Sequence, residues 1–82
     1  MIRLHFHARE RLDARGATEE EVITTVKKGE VFPAKYGRTG FRYNFMFNSI
    51  WRDKHYSTKQ IEAYAVKENN GWLVITIVTR YF

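Results

Sequence analysis

The run H-F-H-A-R-E-R-L-D-A-R-G, His5 to Gly16, gathers two histidines, three arginines, a glutamate and an aspartate within twelve residues. On a helix, His7 and Arg11 stand at i and i+4 and share a face. An imidazole that titrates near neutrality beside a permanent cation suits a phosphodiester. The histidine moves a proton and the guanidinium holds the phosphate charge. Arg15 extends the same stripe by another turn. The competing reading is a histidine and an arginine hydrogen-bonded to backbone or sheet, which would only fix the helix in place. Glu10 is either a second proton-transfer group or an ion-pair partner for an arginine. His5 and His7 alternate, so on a strand they would face one way as metal ligands do. With no third ligand in view and His55 far off in sequence, no metal site is expected.

Two further stretches carry chemistry. In W-R-D-K-H-Y-S-T-K, Trp51, His55 and Tyr56 interleave with Arg52, Lys54 and Lys59. Stacking rings beside phosphate-pairing cations is how single-stranded nucleic acid is held, and RNA favours this mode because its unpaired bases are free to stack. The alternative is a hairpin tip whose aromatics pack on the core. Near the C-terminus, Arg80 and Tyr81 point to opposite faces of a strand, so only one of them can share a pocket with the first helix. A strand-end arginine beside a cleft makes a phosphate clamp; otherwise it is a surface arginine next to a packed tyrosine. No phosphate-cradling glycine loop, dinucleotide fingerprint, zinc spacing or nucleophile elbow occurs. No cofactor is expected.

The elements that must position these groups follow from caps and periodicity. His7 to Arg15 suits a helix, with Ala8, Arg11, Leu12 and Arg15 on one face and Gly16 as its terminator. Thr18 with Glu21 is a capping box. Glu19, Glu20 and Glu21 at the start, and Lys27 and Lys28 at the end, complement the dipole of a second helix. That helix buries Val22, Ile23 and Val26 and stops at Gly29. The period then changes to two. Glu30 to Tyr36 reads as a short strand marked by Pro33 as an edge or bulge, and Gly37 to Gly40 as a turn. Phe41, Tyr43, Phe45 and Phe47 alternate with Arg42, Asn44, Met46 and Asn48, which is a half-buried strand with an aromatic face. Asn48 to Lys59 reads as a turn or loop. Gln60 to Lys67 is a strand with Ile61, Ala63 and Ala65 on one side. Asn69-Asn70-Gly71 signals a hairpin. Trp72 to Tyr81, the most apolar strand, belongs inside the sheet. Met1 to Phe6 is a short strand or an extended lead-in. The expected fold class is α+β: two N-terminal helices on a four-stranded antiparallel sheet whose other face is open to a partner.

Composition sets the limits. At 82 residues the chain is one domain, residues 1–82. It has no cysteine, so its core comes from hydrophobic burial, to which 16% aromatic residues contribute heavily. Fourteen Lys and Arg against nine acids give a net charge of +5, which suits an anionic partner or simply keeps the surface soluble. No apolar run is long enough to cross a bilayer, and Arg3, His5 and His7 interrupt any signal-peptide pattern, so a cytoplasmic location is expected.

Several of these residues resemble a small bacterial family, a domain of unknown function of the DUF4258 type. Its pattern is H-A-x-E-R-x-x-x-R-G, then a capped helix ending in x-x-G-E, then strands closing on V-I-T-V. Here it reads H-A-R-E-R-L-D-A-R-G-A-T-E-E-E-V, K-K-G-E-V and L-V-I-T-I-V. The layout is similar to that of RelE/ParE toxins. The resemblance implies a RelE/ParE-like fold and a metal-independent endoribonuclease with the ribose 2′-hydroxyl as nucleophile, a toxin paired with an antitoxin protein. It implies His7 as acid/base group and Arg11 as phosphate ligand, with Arg80 or Tyr81 across the cleft. The motif does not extend to the proposed RNA-binding residues Trp51, Lys54, His55, Tyr56 and Lys59. The alternative expectation is a non-catalytic module that binds RNA or protein through the open sheet face.

Overall fold

The two helices form where their ends are capped. In the computed structural model, which describes residues 1–82, the chain order is β1 (Ile2–Leu4), α1 (Phe6–Arg15), α2 (Glu19–Lys28), β2 (Glu30–Pro33), β3 (Thr39–Trp51), β4 (Lys54–Glu68) and β5 (Gly71–Tyr81). His5 caps α1: its Nδ1 accepts the His7 backbone N–H at 3.2 Å. Gly16 ends the helix at φ 71°, and a side chain at this position would run into the Tyr81 hydroxyl and the Trp51 ring. Glycine is therefore required twice over, by backbone and by space. The Thr18–Glu21 capping box forms in both directions and starts α2. Thr25 joins Val22 and Val26 on the buried side of α2, its hydroxyl bonded back to the Glu21 carbonyl at 2.8 Å.

The class is α+β, with both helices on one face of a five-stranded mixed sheet in the order β1-β5-β4-β3-β2. Four strands form the expected antiparallel meander. The fifth corrects the expected four-strand sheet: β1 pairs parallel to β5, with Ile2 opposite Trp72 and Leu4 opposite Val74. The crossover through the two helices allows this parallel pairing, which a tight turn cannot make. β5 is thus interior, and β4 occupies the centre.

A second correction concerns Asn48 to Lys59, expected as a turn or loop: only Arg52 and Asp53 turn, and the rest is strand. β3 and β4 form one long hairpin closed by Arg52 and Asp53, both at positive φ (52° and 68°). Two consecutive left-handed residues give the tight turn that matches strand twist. A bulge between Met46 and Ser49, with Asn48 at φ 42°, interrupts the hairpin. β2 also ends early, at Pro33 and not at Tyr36, and because it begins only at Glu30, opposite Arg42, β3 has no outer neighbour beyond Arg42.

Register sorts the side chains. Beneath the helices lie Phe41, Ala63 and Ile77 in one row and Tyr43, Ile61 and Thr79 in the next. Leu4, Ala8, Ala17, Val22, Val26, Ala65 and Val74 complete the buried core. On the other face, which no helix covers, the rows are Phe32, Gly40, Tyr64 and Thr76; then Glu30, Arg42, Glu62 and Val78; then Asn44, Gln60 and Arg80. No helix is long and apolar enough to cross a membrane.

Candidate functional site

The first helix exposes its proposed catalytic pair. His7 and Arg11 are both exposed on α1, and neither lines any of the three hollows on the surface. The His7 ring clusters with its two neighbours: its centroid lies 5.0 Å from that of His5, on which it stacks, and 4.2 Å from that of the tilted Phe6 ring. Its only carboxylate neighbour is Glu10, with Nδ1 3.9 Å from the nearer oxygen. The expected cleft between this helix and the sheet is filled.

Aromatics and cap donors fill it. The last carbonyls of α1 have no partner within the helix. The structure supplies them from the sheet. Tyr81 donates its hydroxyl to the Arg15 carbonyl at 2.9 Å, and Thr79 donates to the same oxygen at 2.8 Å. Lys59 reaches the Gly16 carbonyl at 2.9 Å while pairing with Glu21 at 2.8 Å. Arg52 reaches the Ala14 carbonyl at 3.3 Å. Trp51 stacks on Tyr81 with centroids 4.9 Å apart, and Phe47 and Tyr56 close the group at 5.1 and 5.7 Å. Tyr81 and Lys59 are therefore fixed in joining α1 to the sheet, and Trp51 and Tyr56 are packed rather than presented. Burial pushes the Tyr81 hydroxyl up, helped by the nearby Glu21 charge, so it stays protonated in this role. Lys54 and His55 remain exposed near the hairpin tip, and Arg15 is half-buried.

Arg80 lies on the other side of the sheet from Tyr81, as strand alternation requires. There it meets a group that sequence reasoning did not single out. Glu62, on the central strand, is 4% exposed although nothing is layered over it. Its Oε1 pairs with Arg80 Nη1 at 2.7 Å and accepts the Tyr64 hydroxyl at 2.8 Å. Its Oε2 accepts Arg42 Nε at 2.8 Å. Arg42 also reaches Glu30 at 3.3 Å, and its guanidinium lies 4.3 Å from the centre of the Phe32 ring.

The electrostatics follow from these contacts. Burial alone would push the Glu62 carboxyl up. The hydrogen bonds from Arg80, Arg42 and Tyr64 outweigh burial and hold its pKa below the ordinary carboxylate value. The Tyr64 hydroxyl is pushed up, first by burial and then by its bond to Glu62. Hydrogen bonding to Glu62 raises Arg42 further. The result is an ionised carboxylate flanked by two guanidiniums and a protonated phenol, drawn from three adjacent strands.

The signal for this cluster lay in the segment I-E-A-Y, where one charge is embedded in an apolar strand of the sheet centre. Its partners lie 18 and 20 residues away, and only the register brings them together. The sequence offers Arg80 as a group across the cleft from the first helix, whereas it lies on the opposite sheet face; alternation puts Arg42 on the non-aromatic side of its strand. Comparison with family models, with curated proteins and with solved structures finds no match to the chain.

Proposed function

We propose that this chain is a metal-independent endoribonuclease that holds single-stranded RNA on the uncovered sheet face, with its working groups at Glu62, Arg42, Arg80 and Tyr64 in place of His7 and Arg11. The observation that carries this reading is a carboxylate sealed by two arginines and a tyrosine on a face that supports no other layer. A buried ionic cluster costs desolvation, and replacement by apolar residues is often neutral or stabilising, so its presence here asks for a use.

The chemistry follows from the donor set. Arg42 and Arg80 turn from Glu62 to a phosphate and stabilise the charge that develops on its oxygens. Glu62 accepts the proton of the ribose 2′-hydroxyl. The 2′-oxygen bonds to phosphorus, the bond from phosphorus to the 5′-oxygen breaks, and the Tyr64 phenol supplies the leaving oxygen with its proton. The products are a 2′,3′-cyclic phosphate and a 5′-hydroxyl. Two helices ahead of an antiparallel meander support the RelE/ParE-like reading of the fold, and with it the role of a cytoplasmic toxin held in check by an antitoxin protein.

The experiment is incubation of the purified chain with short single-stranded RNA in the presence of a chelator. Cyclic-phosphate ends from the wild type, with Glu62→Gln binding RNA but leaving it whole, support the reading. Failure of the wild type to bind or cut RNA at low salt overturns it. A second reading, RNA binding without cleavage, is favoured by the lowered Glu62 pKa, since a carboxylate this well stabilised is a weak base. RNA that is held in a steeply salt-dependent way and stays uncut selects that reading.

A further inference from the structure

We propose that the hollow between the β2–β3 turn and the sheet is a stacking subsite for one unpaired nucleobase, set one residue row from the arginines that take the phosphate. The inference rests on the reading of this face as an RNA surface and adds what the subsite recognises there.

The turn itself is the first observation. Residues Lys35 to Arg38 close on a bond from the Arg38 N–H to the Lys35 carbonyl at 3.3 Å, with Tyr36 at φ 63° and Gly37 at φ 69°. Consecutive left-handed residues define a turn that Asn, Asp and Gly occupy at least cost. Tyrosine at the first of these positions is strained, and the residue is 87% exposed, so burial does not compensate. A strained aromatic held in solvent contributes little to the fold, and such strain gathers at ligand sites.

The wall opposite is the second. The hollow is lined by Phe32, Lys35, Tyr36, Arg38, Tyr64 and Thr76, among others. Phe32 faces Gly40 across the β2–β3 pair, and its ring lies over that glycine in space a Cβ would fill. Tyr64 meets the Phe32 ring edge-on, with centroids 5.9 Å apart and planes at 87°. Arg38 lies 6.0 Å from the centre of the Tyr36 ring. Gly40 and the Arg42 guanidinium take the faces of the Phe32 ring, so the open aromatic surface of the hollow is Tyr36, beside the cations Lys35 and Arg38 and the Thr76 hydroxyl. That is the equipment for a flat heterocycle with polar edges attached to an anionic chain.

Spacing is the third. Same-face neighbours along a strand lie about 7 Å apart. The row of Phe32, Gly40, Tyr64 and Thr76 adjoins the row of Arg42 and Glu62. A base in the hollow thus leaves its ribose over the row boundary and its phosphate beside Arg42. Tyr64 belongs to both groups, since its ring borders the hollow and its hydroxyl bonds Glu62.

The test compares two probes by fluorescence anisotropy: a short single-stranded RNA, and a strand of equal length and phosphate count made of abasic residues. The base-bearing strand is expected to bind about tenfold tighter, the range for one stacked base. Tyr36→Ala should remove most of that advantage and leave the abasic strand and the salt dependence unchanged. Tyr36→Asn supplies a readout that a structural role would not give: its melting temperature should rise, because Asn suits the turn, while its RNA affinity falls. Equal binding of the two strands by the wild type, or equal loss of both in Tyr36→Ala, overturns the subsite and leaves the RNA reading standing. Absence of binding to either strand at low salt overturns both.

Discussion

Ile61 and Glu62 are neighbours on β4, and both are almost sealed from water, at 0% and 4% exposure. They are sealed by different means. Ile61 lies under the helix layer, in the cluster that holds Val22 and Val26. Glu62 has no layer above it and is covered by the side chains of Arg42, Arg80 and Tyr64. A lid of packed helix opens only when the fold opens. A lid of long side chains opens by rotamer change while the backbone stays in place. The helix face of this sheet is therefore where stability resides, and the other face is where exchange with a ligand is cheap.

Substitutions can break this contrast. The largest effect is expected beneath the helices. Ile61→Ala should cost about 2–5 kcal/mol in urea unfolding, through lost burial and the cavity left behind. The fraction that stays folded should bind RNA as the wild type does. Loss of binding beyond the loss of folded protein would show that the two faces are not independent.

Next comes Glu62→Gln, expected to cost about 1–2 kcal/mol, less than a fully buried pair because Arg80 can turn to solvent. RNA affinity should rise, since two arginines lose their internal counterion. Because the folded carboxyl titrates below its unfolded value, its contribution is present above the unfolded pKa and is lost as pH falls through the folded one. Wild type should therefore lose more stability than Glu62→Gln on acidification below about pH 5, as urea midpoints across that range would show. Parallel acid curves would mean that Glu62 gains nothing from its partners.

A smaller effect is expected at the helix start. Thr18→Ala removes one half of the capping box and should cost about 1 kcal/mol, with RNA binding unchanged. The smallest is His7→Ala, within about 0.5 kcal/mol in stability, as for other exposed positions. It should not alter RNA binding or cleavage. A large loss of cleavage in His7→Ala with Glu62→Gln fully active would return the working groups to α1 and reverse the assignment of the faces.

Local chemistry made much of the fold legible. The capping box, the acids and lysines at opposite ends of α2, Gly16, the alternation after Phe41 and the Asn69-Asn70 turn each act within a few residues, and each can be read directly. The Arg52–Asp53 turn is hidden because arginine at a left-handed position carries no sequence signature, and without the turn the strand ends around it look like a loop. β1 was ambiguous for a different reason. Three residues have no periodicity to measure, and its partner lies some seventy positions away. The site was less legible than the fold. His7 and Arg11 share a helix face, and that spacing is visible, but nothing in spacing tells whether the face looks into a cleft. Tyr81 and Lys59 suit ligand contacts by type, but the orphan carbonyls of α1 have the prior claim on them. The Glu62 cluster depends on three strands in register, which no single stretch of sequence encodes.

The irregularity at Asn48 also bears on how the chain behaves at high concentration. Beyond Arg42 the outer border of β3 has no neighbour, and a straight border of that kind templates stacking of one molecule on the next. The one extra residue between Met46 and Ser49 twists it and divides it into two short lengths. Straightening this stretch by deletion would leave the sheet's broad side as before and give its rim a means of growing into filaments.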